Sequence, residues 1–448
     1  MGTKNLPKSY WWLLILLLLL STCLGWNFCR SQNDVLKILA VLSFYNAFLI
    51  VTYFLIYLFF YKVINRSRIN GKYSSVCFWR AMNRFGPKIT VIGGGTGLAT
   101  LLRGLKKYSG NLTAVVTTAD DGGSSGKLRK SLGILPPGDI RNCIIALADQ
   151  EPLMESLFQY RFSTESGLSG HNFGNLFIAA MADITGDFEQ AIEEFSKVLA
   201  ITGKVIPATL ENVTLCAEMC DGQIVIGESE IPKQGKQIKK VFLKPESPRA
   251  NRAAIEAILD ADCVVLGPGS LYTSVIPNLL LPEICHALNN TKAIKIYACN
   301  VMTQPGETTG YGAYDHVKAI LSHCPGKNVI EMVIVNTEDV PPELLQKYEA
   351  EGAHPVTPDI QQLQKEKFRV IGRHLISKTS LVRHDSEKLA RLVIQLVIQE
   401  KFWREGLNSS LLKWMTIPSL LSLVSRHKSF PHKGLISEAA HMNREKGG

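Results

Sequence analysis

Residues 88–142 read KITVIGGGTGLATLLRGLKKYSGNLTAVVTTADDGGSSGKLRKSLGILPPGDIRN, and the order of elements in this stretch decides the fold. Lys88 to Ile92 is a short β-branched run that stops on three consecutive glycines, as a buried strand ends at a turn. From Thr96 to Lys107 the apolar residues Leu98, Leu101, Leu102 and Leu105 fall at helical spacing. Strand, glycine turn and helix follow one another directly, so Gly93, Gly94, Gly95, Thr96 and Gly97 would place free N–H groups and the positive end of a helix dipole around an anion. By itself GGGTG is equally an ordinary tight turn between a strand and a helix.

The second half of the stretch points to a ligand. Leu112 to Thr118 is another β-rich run, and it ends in Ala119-Asp120-Asp121-Gly122-Gly123-Ser124-Ser125-Gly126. Acid at the end of a second strand, near a first glycine turn, is where a doubly wound sheet holds a ribose hydroxyl or a metal, and Asp120 and Asp121 suit either role. Gly122 to Gly126 offers a second cradle of N–H groups and two hydroxyls, followed by Lys127, Arg129 and Lys130. After the rigid turn Leu135-Pro136-Pro137-Gly138, Asp139 either caps a helix or touches the ligand, and that helix carries Arg141 and Asn142.

Downstream segments repeat the theme. A polar loop ends in Gly170-His171-Asn172-Phe173-Gly174-Asn175 just before an apolar helix, so that His171 and Asn175 either contact a phosphate or a base or play a structural part in the loop. Between Val205 and Lys240 short alternating runs joined by Asp221-Gly222 predict a small β-hairpin insertion. Asp262 to Leu266 is a strand that runs into Gly267-Pro268-Gly269-Ser270-Leu271-Tyr272, a second strand-to-glycine-loop transition whose Gly269, Ser270 and Tyr272 suit polar or stacking contacts. The strand 293–298 ends at Asn300, with Glu307 beyond it as an additional carboxylate. Phe368 to Ser377 and Thr379 to Arg383 read as two terminal strands before a helix from Ser386; in the turn between, Arg383 either reaches a diphosphate or, more simply, belongs to a helix start capped by Asp385 or Ser386.

These motifs are similar to those of the gluconeogenesis-factor family, the bacterial branch of the CofD-like superfamily. The likeness rests on GGGTGL, TADDGGSSGKLR, PPGDIRN, GHNFGN (170–175), GPGSLYTSVIPNLLLPEI (267–284), CNVMTQPGET (299–308) and VRHDSEKLA (382–390), and it spans roughly residues 88–397. The resemblance implies a Rossmann-like domain that binds a UDP-sugar and links carbon metabolism to cell-wall synthesis and cell shape. The CofD branch implies the alternative, transfer of a phospholactyl group to a deazaflavin with Mg2+ held at Asp120 and Asp121. The segment ADDGGSSGKLR resembles the regulator branch. No Ser/His/Asp or Cys/His arrangement supplies a nucleophile, and no catalytic residue is assigned.

Charge divides the chain. Residues 1–88 hold eleven Lys and Arg against one acid, and residues 401–448 eight against three, so within a total of +10 the middle is mildly acidic and is not a nucleic-acid binder. The apolar stretches 11–25 and 39–61 read as two N-terminal transmembrane helices, the first being alternatively the core of a signal peptide; a span needs about 20 residues. Lys62, Arg66, Arg68 and Lys72 then put the following domain on the cytoplasmic side. Ten scattered cysteines without a C-x-x-C pair argue against a disulfide framework and structural zinc. An NAD oxidoreductase is disfavoured because Asp120 follows Gly93 by 27 residues instead of about 20.

The expected organisation is a membrane region (1–62), a basic linker (63–87), a doubly wound, mostly parallel α/β domain (88–400) and a basic tail (401–448). Its expected partners are a nucleotide-sugar or nucleotide diphosphate, the inner membrane, and further copies or other proteins.

Overall fold

The computed structural model describes residues 86–404, apart from 150, 151, 164–166, 327, 328 and 378–380, together with short runs between 22 and 52. The chain divides into two compact units, Met1–Met82 and Asn83–Gly448. In the first, residues 37–45 are helical. Among the described residues no helix is long and apolar enough to cross a membrane. The stretches 11–25 and 39–61 lie largely outside the described residues, as do the linker 63–85 and residues 405–448.

The second unit is built in strand–helix alternation. Its strands are β1 (Ile89–Gly93), β2 (Leu112–Val116), β3 (Lys204–Pro207), β4 (Thr214–Met219), β5 (Ile224–Ile226), β6 (Ile238–Lys244), β7 (Cys263–Leu266), β8 (Ile294–Ala298), β9 (Met332–Asn336) and β10 (Arg369–Arg373). Its helices are α1 (Gly95–Leu105), α2 (Gly123–Leu132), α3 (Gly138–Leu147), α4 (Pro152–Gln159), α5 (Phe173–Thr185), α6 (Phe188–Val198), α7 (Arg252–Leu259), α8 (Ile276–Leu279), α9 (Pro282–Asn290), α10 (Ala313–His323), α11 (Pro342–Ala350), α12 (Ile360–Lys365) and α13 (Ser386–Arg404). One π-helical turn, Leu271–Val275, precedes α8.

Seven strands form one parallel sheet in the order β10-β9-β8-β7-β1-β2-β3. The chain winds outward from β1 to β3, returns to the other side of β1 at β7, and winds outward again to β10. The strand order therefore reverses between β1 and β7, the doubly wound topology expected from the sequence. Period-two alternation feeds two cores at once. Ile89, Val91, Cys263, Val265, Ile294, Ile296, Met332 and Ile334 face the layer of α1, α3, α5, α6 and α13. Ile92, Val264, Leu266, Tyr297, Val333 and Val335 face the opposite layer, which contains α7, α9 and α10. Burial on both faces explains why these strands read as unbroken apolar runs.

Two local expectations change. Val205 to Pro207 is not part of the insertion; it pairs in parallel with β2 as the edge of the main sheet. The insertion starts at Thr214 and is a three-stranded antiparallel sheet, β5-β4-β6, with the predicted hairpin as one half. It packs Leu215, Ala217, Met219, Val241 and Leu243 into the same core as α10. Of the two strands expected between 368 and 383, the first forms as β10, and Ile376 and His384 make an isolated bridge; the start of the second expected strand lies outside the described residues.

A disulfide joins Cys285 of α9 to Cys324 at the end of α10, with Cα atoms 5.6 Å apart and a separation of 39 positions in the chain. This corrects the expectation from cysteine spacing: no local motif announces the pair, because helix packing alone brings it together. Alkylation of the unfolded protein without reductant is expected to leave two thiols unmodified that reductant then releases. Equal labelling with and without reductant would show the pair to be open.

Candidate functional site

The carboxyl ends of β1 and β7 flank the point where strand order reverses, so the glycine turns that follow them face one crevice. Gly95 opens α1 with φ +67°, a conformation that side-chain-bearing residues avoid. Gly97 lies so close to the loop after β7 that a Cβ there would stand 2.6 Å from the Pro268 carbonyl oxygen. Position 97 thus needs glycine because two backbones meet, which motif spacing alone does not say.

Between these turns lies a cavity of about 290 Å3. Of the residues singled out from sequence, Gly95, Thr96, Gly97, Gly269, Ser270, Asn300 and Arg383 line it. Asn300 has a positioning role: its amide donates to the Gly269 carbonyl at 2.7 Å and its oxygen accepts from the Gly269 N–H at 3.2 Å, which pins the loop. The cavity is completed by residues that sequence reasoning missed, among them Gln304, Tyr348 and His384. Gln304 donates to the Ser270 hydroxyl at 2.7 Å, and the Tyr348 hydroxyl accepts from the Val382 N–H at 3.2 Å. His384 immediately follows Arg383 and falls within VRHDSEKLA, and these were the signals available for it.

Tyr272 does not reach this cavity. Its side chain is buried, its hydroxyl pairs with that of Tyr311 at 2.9 Å, and its ring meets His323 edge-on. The Tyr272 N–H and the Thr273 hydroxyl both donate to Glu307, at 3.2 and 3.0 Å, so Glu307 secures the π-helical turn from below.

The other candidates gather around α2. Asp120 accepts from the Gly122 N–H at 2.9 Å and from the Ser125 hydroxyl, and Ser125 in turn accepts from the Gly138 N–H at 3.1 Å. Asp121 turns away to the insertion, where it accepts from the Ser229 N–H at 2.9 Å. Arg129 likewise reaches the start of the insertion, donating to the Val213 carbonyl at 2.6 Å and to the Thr214 hydroxyl at 3.2 Å. Arg141 donates to the Asn175 and Asn142 side chains at 2.6 and 2.8 Å. Asn172 caps α5 by accepting from the Asn175 N–H, and Ser124 accepts from the Asn172 N–H at 3.2 Å with His171 Nδ1 at 3.5 Å. The GHNFGN loop is therefore a helix cap that also orients Arg141. Gly123 takes φ +48° at the start of α2. Gly93 closes β1, and its carbonyl accepts from the Thr117 N–H at 3.0 Å. Gly94 packs against Thr117 and Asp139.

Asp139 joins the two groups. It sits in the first turn of α3 and accepts from the Gly95 N–H, so it occupies part of the helix end that the sequence offers to an anion. Burial first, and then the Asp120 charge, push its carboxyl up to about 6. Glu228, on the loop after β5, is pushed to about 8 by burial and by Asp120 and Asp139, and burial lifts Glu307 to about 6. Burial and the neighbouring Arg161 lower Arg141 to about 10, so it stays charged at neutral pH. Sequence reasoning missed Glu228 because it lies in the hairpin segment, more than a hundred residues from Asp120.

Between pH 3.8 and about 6 the folded protein holds a proton on Asp139 that the unfolded chain has lost, so stability falls as pH rises through that window and stays lowered above it. Asp139→Asn keeps an acceptor for Gly95 and removes this titrating group. It is expected to gain about 1–2 kcal/mol relative to the parent at about pH 7.5 compared with about pH 4.5, a discounted share of the 1.36 kcal/mol per pKa unit. Urea unfolding at both pH values checks this, and an equal difference at the two would contradict it.

Among the described residues, no group of three or more His, Cys, Asp and Glu side chains is arranged to hold a metal ion. Asp120 and Asp121 diverge, each with one oxygen committed to a backbone N–H.

Residues 89–376 match the family model described as 2-phospho-L-lactate transferase CofD. The chain is 52% identical over 312 residues to the gluconeogenesis factor of Bacillus subtilis strain 168, covering 69% of this chain and 98% of that protein. It is 50% identical over 308 residues to the gluconeogenesis factor of Halalkalibacterium halodurans, covering 68% and 95%. A crystal structure of a protein from Bacillus halodurans superposes with a TM-score of 0.67 at 50% identity, covering 69% of this chain and 99% of that one. With its parallel sheet, two glycine turns and matched length, the chain belongs to the CofD-like family, among the relatives named gluconeogenesis factors.

Proposed function

We propose that this protein is a nucleotide-sugar-binding regulator of the gluconeogenesis-factor type, which couples carbon supply to cell-wall synthesis and cell shape. The observation that carries the reading is the cavity at the strand-order reversal, where the amino end of α1 and the Gly269 loop stand beside Arg383. Backbone N–H groups and a guanidinium suit a diphosphate, and the polar wall beyond them suits a sugar. Magnesium enters this proposal only as an ion arriving with the diphosphate, its usual mode of binding to phosphorylated ligands. Anchorage of the domain to the inner membrane by the N-terminal apolar stretches belongs to the same proposal.

The test is calorimetric titration of the full-length chain with UDP-glucose and UDP-N-acetylglucosamine, with and without magnesium, followed by chromatography of the recovered ligand. Binding with intact ligand supports the regulator. Conversion of the ligand would favour a CofD-type transferase instead. One feature speaks for that second reading: burial and the charges of Asp120 and Asp139 push the Glu228 carboxyl up to about 8, which supplies a protonated group at neutral pH.

A further inference from the structure

The wall of the cavity around His384 has a property that the phosphate-facing turns lack. His384 is 7% exposed, and its Nε2 has no hydrogen-bond partner. Its other ring nitrogen is paired with the backbone of Cys299. The Cys299 N–H is already given to the Ile334 carbonyl, so His384 must donate to the Cys299 carbonyl. In a neutral imidazole one nitrogen donates and the other accepts, so this bond fixes the tautomer and leaves Nε2 as a lone pair. Burial lowers the ring to about 4, so a second proton is absent at neutral pH. Gln304 lines the same cavity, and its side-chain oxygen is also buried without a partner, while its amide nitrogen is held by Ser270. Leaving two acceptors unsatisfied in one wall costs stability unless something bound there satisfies them.

We propose that this wall is a subsite for an uncharged hydrogen-bond donor of the ligand, a sugar hydroxyl or an acylamino N–H, and that His384 Nε2 with Gln304 Oε1 selects the sugar portion. The proposal rests on the nucleotide-sugar reading above and deepens it. Phosphate groups, which lack donors at neutral pH, are repelled by two lone pairs and are directed to the glycine turns and Arg383. The ligand is thereby oriented: diphosphate at α1, sugar at His384. His384 is a specificity residue, with no part in bond making.

Calorimetric titration of the full-length chain with UDP and with UDP-glucose tests this. The native protein is expected to bind UDP-glucose more tightly than UDP. His384→Phe is expected to weaken UDP-glucose about ten-fold, the effect of one lost hydrogen bond, and to change UDP less than about two-fold. His384→Asn, which retains an acceptor, is expected to recover part of the loss; it also serves as the test if the phenylalanine variant does not fold. Equal weakening of both ligands, or no change in either, would overturn the subsite and leave the nucleotide-sugar reading standing. Failure of the native chain to bind either ligand would overturn both.

Discussion

Replacing Arg383 by alanine is expected to weaken UDP-glucose binding about 50-fold, the loss of a charge-assisted contact of roughly 2–3 kcal/mol. Arg383 is exposed at the cavity, between two buried neighbours, Val382 and His384, that fix the local backbone. Val382 packs with Val301, Met302 and Ile376, and the Arg383 carbonyl accepts from the Ser377 N–H at 2.9 Å, so truncating the guanidinium leaves these supports in place. The thermal midpoint without ligand should hardly move. UDP is expected to lose as much as UDP-glucose, because the contact is to the diphosphate; this contrasts with the ligand-selective loss expected at His384. Calorimetry of the variant with both ligands provides the check. Unchanged affinities would place the diphosphate elsewhere in the crevice.

The second large effect concerns the fold. Gly104→Val is expected to destabilise the protein by about 3 kcal/mol, the upper range for overpacking, and to lower the thermal midpoint by about 10 °C. Gly104 is buried on α1, where a Cβ would meet the Ser386 carbonyl oxygen and the Ala390 methyl of α13. Both obstacles belong to one helix start, so relief requires α1 and α13 to separate. Since α1 also presents Gly95 and Gly97 to the cavity, ligand affinity should fall with stability. Thermal unfolding with and without UDP-glucose measures both. A native-like midpoint would mean that the helices are not packed this closely.

These two residues also show where sequence reading stops. Arg383 was legible because it stands before a helix in a polar turn near the end of the domain. His384, its neighbour, reads as a turn residue until the Cys299 carbonyl and the cavity are seen beside it. Gly104 looks like a mild defect in a helix, costing about 1 kcal/mol, until α13 is placed against it. Tyr272 erred in the other direction: an aromatic residue in a glycine loop suggested stacking on a base, but its ring is spent on Tyr311 and His323. Among the predicted residues Asp121 and Arg129 were likewise claimed by the insertion, whose third strand lies beyond the reach of a hairpin signal.

What the sequence by itself determined is local and periodic. The β-branched runs, the glycines that stop them and the 3.6-residue spacing of the leucines define strand, turn and helix, and their repetition requires a parallel sheet with helices on both faces. Only the tertiary structure decided that β7 lies beside β1, which brings residues 95–97, 268–270 and 383–384 around one cavity. The same holds for the carboxyls of Asp120, Asp139, Glu228 and Glu307 and for the Cys285–Cys324 bond. The reason is physical: hydrogen-bond periodicity and backbone freedom act over a few residues and are written in the local chain. Strand order and the burial of paired groups are set by which distant apolar faces pack together, and no local pattern specifies that pairing.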